Sequence, residues 1–212
     1  MGSREEVRGK RVAIQFDGSK CIHSRHCVLD RPDVFVPNVQ GEWIHPDRAT
    51  PEEVAALAVN CPSGAITFTR LDGGPDEPAP LVNVLRVREN GPLALHADAE
   101  LVGHGRQLRA TLCRCGASKR KPFCDASHVA AGFHSTGEPE PVESQPLAER
   151  AGPLTITPLP NGPLLVEGNL EICAGTGKTV NRTVKAALCR CGHSANKPYC
   201  DGSHTRVGFA TE

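Results

Sequence analysis

The feature that most constrains this chain is a segment of sixteen residues that occurs twice. CRCGASKRKPFCDASH, residues 113 to 128, returns 76 positions later as CRCGHSANKPYCDGSH, residues 189 to 204. Between residues 113 to 134 and residues 189 to 210, 13 of 22 positions are identical. Both copies follow the pattern C-x-C-x8-C-x3-H. The chain therefore repeats one folding unit, and each copy carries the same set of three thiols and one imidazole.

Composition favours several small domains over one large one. Of 212 residues only 39% are hydrophobic and 4% aromatic, while 21 are Gly, 18 are Pro and 10 are Cys. Domains near 60 residues are marginally stable without disulfides, metals or partners. The polar start MGSREEVRGK does not resemble a secretory leader, so we expect a soluble, cytoplasmic protein. In a reducing compartment cysteine clusters bind metal or act in catalysis more often than they form disulfides.

The formal net charge is zero, with 24 basic and 24 acidic residues. This balance gives no electrostatic case for binding nucleic acid, and no run of residues is apolar enough to cross a membrane. Two segments rich in Pro, Gly, Glu and Ser, residues 71 to 80 and 135 to 153, are typical of linkers. We therefore predict an α+β protein with three small domains, at residues 11–72, 81–134 and 153–212.

The two later domains are predicted to be rich in β-structure. Short alternating segments, LVNVLRV, LTITPL and LLVEGNLEI, precede the cysteine loops and predict strands. A short helix or turn is expected after each histidine. In the first domain the stretch PEEVAALAV predicts a helix.

The repeated cysteines and histidines are candidate metal ligands. They are Cys113, Cys115, Cys124 and His128 in the first copy, and Cys189, Cys191, Cys200 and His204 in the second. Three thiolates and one imidazole satisfy tetrahedral zinc, although zinc-binding cysteines usually lie two to four residues apart. The closer C-x-C pair suits one iron of a binuclear cluster, and the Cys and His four residues apart could hold the second iron.

The residues after the third cysteine are candidates for helix capping. Asp125 and Asp201 could cap the following turn, with Ser127 and Ser203 as secondary candidates. Ala126 stands where the second copy has Gly202. An alanine is harmless there only if its φ is negative, as expected for a first helical residue.

The repeated motif closely resembles that of the CDGSH iron-sulfur proteins, the mitoNEET-like family. The resemblance rests on C-R-C-G-x-S-x-x-K-P-F/Y-C-D-A/G-S-H, and the tandem arrangement is similar to that of the family's two-motif members. It implies a 2Fe-2S cluster in each copy, held by three cysteines and one histidine. Such a cluster carries one negative charge fewer than an all-cysteine cluster, and the histidine raises its reduction potential.

Basic residues in both loops fit an anionic cluster. They are Arg114, Lys119, Arg120, Lys121, Arg190 and Lys197. Lys121 and Lys197 occur in both copies and are the strongest candidates for cofactor-binding residues, together with Asp125 and Asp201. For any one of these cations, ordinary solvated surface charge is an equal alternative. His134, His193 and Cys173 lack counterparts, so we expect two surface histidines and one buried structural thiol.

The N-terminal block has a different cysteine pattern. CIHSRHC supplies Cys21 and Cys27, and NCPSGAI supplies Cys61. This arrangement resembles the small single-cluster ferredoxins, and it implies strand, cluster loop, strand, helix and final strand. Three cysteines suit a 3Fe-4S cluster. A 4Fe-4S cluster would need a fourth ligand, either solvent or one of three nearby side chains, His23, Ser24 or His26. Unligated cysteines in a degenerate domain are the remaining alternative.

Together these patterns predict an electron-transfer protein with one ferredoxin-like cluster and two CDGSH-type clusters. The sequence shows no Ser/His/Asp set, no G-x-G-x-x-G loop and no paired carboxylates with a pocket, so we expect no substrate turnover by this chain. Its partners would be redox or cluster-acceptor proteins. We expect a monomer in which the two CDGSH modules pair as a pseudo-two-fold unit. Cluster transfer or storage, redox and pH sensing, and a zinc scaffold are the rival functions.

Overall fold

The structure is a computed structural model, and it describes residues 4 to 211. The described residues form two compact units that divide between Pro78 and Ala79. Both units are built mainly from β-strands with a few short helices, in agreement with the predicted α+β, β-rich class. Among the described residues, no helix has the length and apolar character needed to cross a bilayer.

The N-terminal unit is a three-stranded antiparallel sheet with one helix packed against it. Its strands are β1 (Arg4–Arg8), β2 (Val12–Asp17) and β3 (Ile66–Arg70), in the order β1-β2-β3. β1 begins ahead of residue 11, where the first domain was predicted to start, and it pairs along its whole length with β2. The core lies between the sheet and the helix, and it includes Val12, Ile14, Phe35, Ile44, Val54, Leu57, Ile66 and Phe68.

The helices of this unit are α1 (His26–Asp30) and α2 (Pro51–Val59), with a 3₁₀ turn at Pro46–Arg48. The helix predicted from PEEVAALAV is confirmed as α2. It begins with a capping box, in which the Thr50 hydroxyl accepts from the Glu53 N–H and the Glu53 carboxylate accepts from the Thr50 N–H. The strand expected between the cluster loop and this helix is reduced to a single bridge between Phe35 and Ile44.

The C-terminal unit is one six-stranded sheet to which both repeats contribute three strands. The first repeat supplies β4 (Val84–Val87), β5 (Leu93–Leu101) and β6 (Gly105–Leu112), and the second supplies β7 (Leu154–Pro158), β8 (Leu164–Cys173) and β9 (Thr179–Leu188). A single cluster of buried residues spans both repeats, with Leu85, Leu95 and Leu112 beside Ile156, Val166 and Leu188. The two predicted modules therefore share one sheet and one core.

The central strands of the two repeats exchange partners in a reciprocal way. β5 pairs with β4 of its own repeat through residues 93 to 96 and with β7 through residues 99 to 101. β8 pairs with β7 of its own repeat through residues 164 to 167 and with β4 through residues 171 to 173. The pairings of both strands with their hairpin partners β6 and β9 shift register between the two halves. Such irregularities bend a strand, which lets each strand change neighbour along its length.

Each repeat ends in one turn of helix, α3 (Ser127–Ala130) and α4 (Ser203–Arg206). The predicted helix after the histidine in fact contains it, because His128 and His204 are second in their helices. The expectation of a helical φ at Ala126 is wrong. Ala126 precedes α3 in the left-handed region with φ of 66°, and Gly202 occupies the same region with φ of 84°.

Candidate metal centres

Each ligand loop is closed by backbone hydrogen bonds at both ends. In the first repeat the Cys113 N–H donates to the Pro122 carbonyl at 2.8 Å, and the Cys124 N–H donates to the Thr111 carbonyl at 2.8 Å. The same two bonds recur in the second repeat, from Cys189 to Pro198 and from Cys200 to Ala187. The ends of strands β6 and β9 are thus held beside the third cysteine of their own loop, which brings ligands that are distant in sequence to one place.

The candidate ligands lie in close pairs. The Sγ atoms of Cys113 and Cys115 are 3.7 Å apart, as are those of Cys189 and Cys191. Cys124 Sγ lies 3.5 Å from Nδ1 of His128, and Cys200 Sγ lies 3.3 Å from Nδ1 of His204. Two sulfurs bound tetrahedrally to one metal at about 2.3 Å should be about 3.8 Å apart, and a sulfur and a nitrogen about 3.5 Å apart. Each pair therefore fits two ligands of a single metal ion.

The pairs do not converge on one point. Within residues 4 to 211, no group of three or more His, Cys, Asp or Glu side chains is placed to hold a single metal ion. A mononuclear zinc site would bring all four ligands of a repeat within tetrahedral distance of one another. Two separate pairs are instead what a binuclear cluster needs, with two thiolates on one iron and a thiolate with an imidazole on the other.

Asp125 and Asp201 close the loops by bonding in two directions. Asp125 accepts the N–H of Lys119 at 2.9 Å and the N–H of Ser127 at 3.0 Å. Asp201 makes the matching bonds with Ala195 and Ser203. Burial raises the pKa of Asp125, but the hydrogen bonds outweigh it and bring that pKa to about 2. The aspartates therefore stabilise the loop and the helical turn as anions. Asp125 is not itself the residue that directly precedes α3, which is Ala126.

Backbone N–H groups also point at ligand sulfurs. In the first repeat the N–H groups of Ala117 and Ala126 each lie 3.4 Å from a sulfur, on Cys115 and Cys124. The second repeat has the same two bonds at 3.4 Å, from His193 to Cys191 and from Gly202 to Cys200. Hydrogen bonds to the sulfurs of a bound cluster raise its reduction potential, so these N–H groups would favour an added electron if a cluster were held here.

The protonation of the first ligand set is shaped by its own close contacts. The hydrogen bond with Cys115 lowers the pKa of Cys113 to about 6, and the same contact raises the pKa of Cys115. Burial raises the pKa of Cys124 to about 11 and lowers the pKa of His128. A neutral imidazole is the form that binds metal, whereas the thiols must release protons to do so.

The basic residues of the loops fall into two groups. Nζ of Lys121 donates to the Ser118 carbonyl at 2.7 Å, and Nζ of Lys197 makes the matching bond to Ser194. Lys119 is exposed, whereas Arg114 and Arg190 are buried in the unit. The possibility of ordinary surface charge is wrong for these two arginines. The sequence signal for their burial was their position between two ligand cysteines in both copies.

The two ligand loops contact each other through backbone atoms. A Cβ added to Gly116 would lie 2.5 Å from the Cys191 carbonyl oxygen, and one added to Gly192 would lie 2.5 Å from the Cys115 carbonyl oxygen. Both glycines have positive φ, 83° and 85°. Sequence reasoning did not single out these glycines, although each follows the second cysteine in both copies. They allow the ligand loops of the two repeats to meet.

The three cysteines of the N-terminal unit line one cavity. Cys21, Cys27 and Cys61 surround a largely apolar space of about 400 Å³, whose walls include Phe16 and Trp43. Burial raises the pKa values of Cys21 and Cys27, and the Cys21 sulfur accepts the N–H of His23 at 3.4 Å. The candidate fourth ligands, His23, Ser24 and His26, line the same cavity. The structure thus brings all the predicted ligands of this site together.

The three side chains without counterparts lie as the sequence suggests. Cys173 is buried, and its sulfur lies 3.8 Å from the Thr179 hydroxyl. His134 and His193 are exposed.

Comparison with protein families agrees with these sites. The model described as "Iron-binding zinc finger CDGSH type" matches residues 86–129 and 161–205. The model described as "Divergent 4Fe-4S mono-cluster" matches residues 7–71. All eleven candidate ligands lie within these ranges. No curated protein matches the chain.

Proposed function

We propose that this chain, which is a tandem CDGSH iron-binding protein with an N-terminal divergent iron-sulfur domain, transfers electrons between partner proteins. When bound, clusters of these types accept and return single electrons. The observation that carries the proposal is the arrangement of the two CDGSH sites, whose ligand loops touch at Gly116 and Cys191 and again at Gly192 and Cys115. Two electron-accepting sites in direct contact favour a relay over two independent stores.

In each repeat, the two ends of the site that would hold the binuclear cluster differ in their exposure to solvent. Cys113 and Cys189 are buried, whereas His128 and His204 are only partly buried. The cysteine ends of the two sites lie toward each other, as the glycine contacts require, and the histidines are the more accessible ligands. Electrons would therefore enter or leave near the histidines, and the partners would be redox proteins that dock there.

For the N-terminal site we propose a 3Fe-4S cluster held by Cys21, Cys27 and Cys61. Three thiolates match three irons without a further ligand. The alternative is a 4Fe-4S cluster whose fourth iron takes solvent or one of three side chains that line the cavity, His23, Ser24 or His26. An isotropic EPR signal in the oxidised protein supports the three-iron form. A signal that appears only after reduction supports the four-iron form.

We further propose that the two repeats form a pseudo-two-fold pair within a monomer. The proposal is supported by the reciprocal pairings, β4 with β8 and β5 with β7, both parallel. Because each repeat already fills the position that a second copy would take, the full chain should remain monomeric. Light scattering at micromolar concentration tests this, and a stable dimer would contradict it.

Electron transfer is tested by mixing the reduced protein with a one-electron acceptor such as cytochrome c. The visible bands of the oxidised clusters should return as the acceptor is reduced, with one electron passed per cluster. The iron content should stay with the chain. Failure of the clusters to be reduced and reoxidised reversibly would contradict the proposal.

Cluster transfer is the second candidate function, and the partly buried His128 and His204 favour it because an accessible imidazole is the ligand most easily displaced. Incubation with an apo-ferredoxin separates the two functions. If iron and sulfide move to the acceptor faster than electrons do, the chain is a cluster donor. A colourless protein that contains zinc would instead indicate a zinc scaffold.

A further inference from the structure

In each repeat one buried arginine stands between the first two ligand cysteines. Arg114 is 1% exposed and Arg190 is 3% exposed. Arginine is almost never fully buried unless its charge is paired. The partners of these two side chains therefore indicate what the charges are for.

Arg114 is satisfied entirely by neutral groups. Its Nε donates to the Gly91 carbonyl at 2.7 Å. Its terminal nitrogens donate to the Ser135 hydroxyl and to the carbonyls of Arg88, Ser135 and Thr136. Its guanidinium carbon also lies 5.4 Å from the centre of the Phe133 ring. The hydrogen bonds fix the orientation of the guanidinium, but none of them neutralises its charge.

Arg190 repeats this arrangement with fewer bonds. It donates to the carbonyls of Gly162 and Leu159, and it lies 5.6 Å from the centre of the Phe209 ring. In the part of the chain that the structure describes, neither guanidinium forms an ion pair with a carboxylate. A buried cation that forms no ion pair is unfavourable unless negative charge lies close by.

Each arginine also lies beside the ligand loop of the opposite repeat. The backbone that follows Arg114 meets Gly192 of the second repeat, and the backbone that follows Arg190 meets Gly116 of the first. In both contacts a Cβ added to the glycine would lie 2.5 Å from the carbonyl oxygen of the cysteine that comes directly after the arginine. Each buried guanidinium is therefore held within a few residues of the ligand cysteines of the other copy.

We infer that Arg114 and Arg190 are counter-charges that act across the pair, each stabilising the reduced cluster of the opposite repeat. The inference rests on the proposed binuclear clusters. One-electron reduction by an external reductant adds one negative charge to a cluster and breaks no ligand bond. A fixed positive charge nearby in a poorly hydrated interior favours that added charge. The arginines are positioning residues that set potentials, and they are not ligands.

The sharpest test is Arg190→Gln in a chain that also carries His204→Cys. The added thiolate moves the second site's reduction wave to lower potential, so the waves of the two CDGSH sites can be followed separately. We expect Arg190→Gln to shift the first site's equilibrium toward the oxidised form by tenfold or more, and tenfold corresponds to 59 mV for one electron. The shift should persist in 1 M salt, because buried charges are screened weakly.

Two variants separate a charge effect from a structural one. Arg190→Lys keeps the charge and should leave the first site's potential close to that of the parent. Arg206→Gln makes the same chemical change at an exposed position of the second repeat, and it should move the first site's wave less than twofold. The mirror variant, Arg114→Gln with His128→Cys, should lower the potential of the second site.

Three results would overturn the inference: an unmoved first-site wave in Arg190→Gln, an equal shift in Arg190→Lys, or an equal shift in Arg206→Gln. If Arg190→Gln fails to retain its clusters, Arg190→Lys provides the test. A lowered first-site reduction potential in Arg190→Lys, which keeps the positive charge and its clusters, would contradict the inference. Failure of the proposed function would look different. The clusters would then be absent or redox-inactive in the parent chain itself.

Discussion

The two repeats build the same ligand geometry from loops that differ in sequence. Where the first copy has Lys119 and Arg120, the second has Ala195 and Asn196. In both copies these residues shape the loop through backbone groups. Their N–H groups donate to the aspartate carboxylate and to the Ser118 or Ser194 hydroxyl, and the carbonyl of the second residue accepts the N–H of Phe123 or Tyr199. The loop is therefore shaped by the groups the copies share. Its exposed side chains are free to differ.

The comparison also shows one position at which the two copies differ in backbone strain. Ala126 and Gly202 both adopt a left-handed conformation, and glycine alone does so without a steric cost. Nothing lies within 4 Å of a Cβ added to Gly202, so the cost at this position comes from the backbone and not from crowding. The first site thus keeps its geometry under a strain that the second site lacks.

Removal of one ligand should break one repeat and spare the other. Cys124→Ala leaves His128 alone on its iron, so the first site should lose its cluster and about two irons per chain. The second site should keep its cluster. Cys173→Ala is the matched control, because Cys173 is equally buried and is not a candidate ligand. Iron analysis and visible absorbance measure the result, and loss of both clusters in Cys124→Ala would show that the repeats cannot be filled independently.

The contact between the repeats can be broken at a single glycine. Gly116→Ala would place a Cβ 2.5 Å from the Cys191 carbonyl oxygen, whereas Gly202→Ala meets nothing. Their φ values, 83° and 84°, are nearly the same. Backbone strain of about 1–2 kcal/mol is therefore common to both, and Gly116→Ala should cost about 1–3 kcal/mol more from overpacking. Denaturant unfolding measures the difference, and equal costs would mean that the loops do not touch.

Exchange of the histidine ligand should separate the two copies electrochemically. His128→Cys adds one thiolate charge to the first site, which should lower its reduction potential and weaken the dependence of that potential on pH. Cluster loss at mildly acid pH should slow, because the site no longer contains an imidazole that protons can compete for. The second site should behave as before. Voltammetry across pH 5 to 8 checks this, and an unchanged pH dependence would remove His128 from the ligand set.

The smallest predicted effect concerns the strained alanine. Ala126→Gly should relieve the left-handed conformation and stabilise the unit by about 0.5–1 kcal/mol, since the greater freedom of glycine in the unfolded chain offsets part of the gain. Gly202→Ala should destabilise it by about 1 kcal/mol or more. Opposite signs in denaturant unfolding support the comparison. The same sign for both variants would contradict it.

Several features of the fold and the sites could be predicted from sequence because they depend on local patterns. The capping residues and apolar spacing of residues 51 to 59 predict α2, and the spacing of cysteines and histidines predicts the ligand sets. Local patterns do not reveal which strands the repeats exchange, because the pairing of β4 with β8 joins residues nearly ninety positions apart. The burial of Arg114 depends on the same long-range packing, and so do the contacts of Gly116.

The conformation of Ala126 was mispredicted for a different reason. A short polar residue before an N-terminal turn usually indicates the cap, so Asp125 was expected to occupy that position. The Asp125 carboxylate instead reaches back to Lys119 as well as forward to Ser127, and the residue between the aspartate and the helix must turn into the left-handed region. The glycine in the second copy was the sequence signal for this conformation.

The central claim is that each repeat holds a binuclear iron-sulfur cluster through two separate ligand pairs, beside a third cluster in the N-terminal unit. Iron and acid-labile sulfide analysis of anaerobically purified full-length chain, combined with EPR, tests it most directly. The account predicts about seven irons per chain with a three-iron N-terminal centre, or about eight with a four-iron centre. About three or four irons, with the repeats empty or filled with zinc, would contradict it.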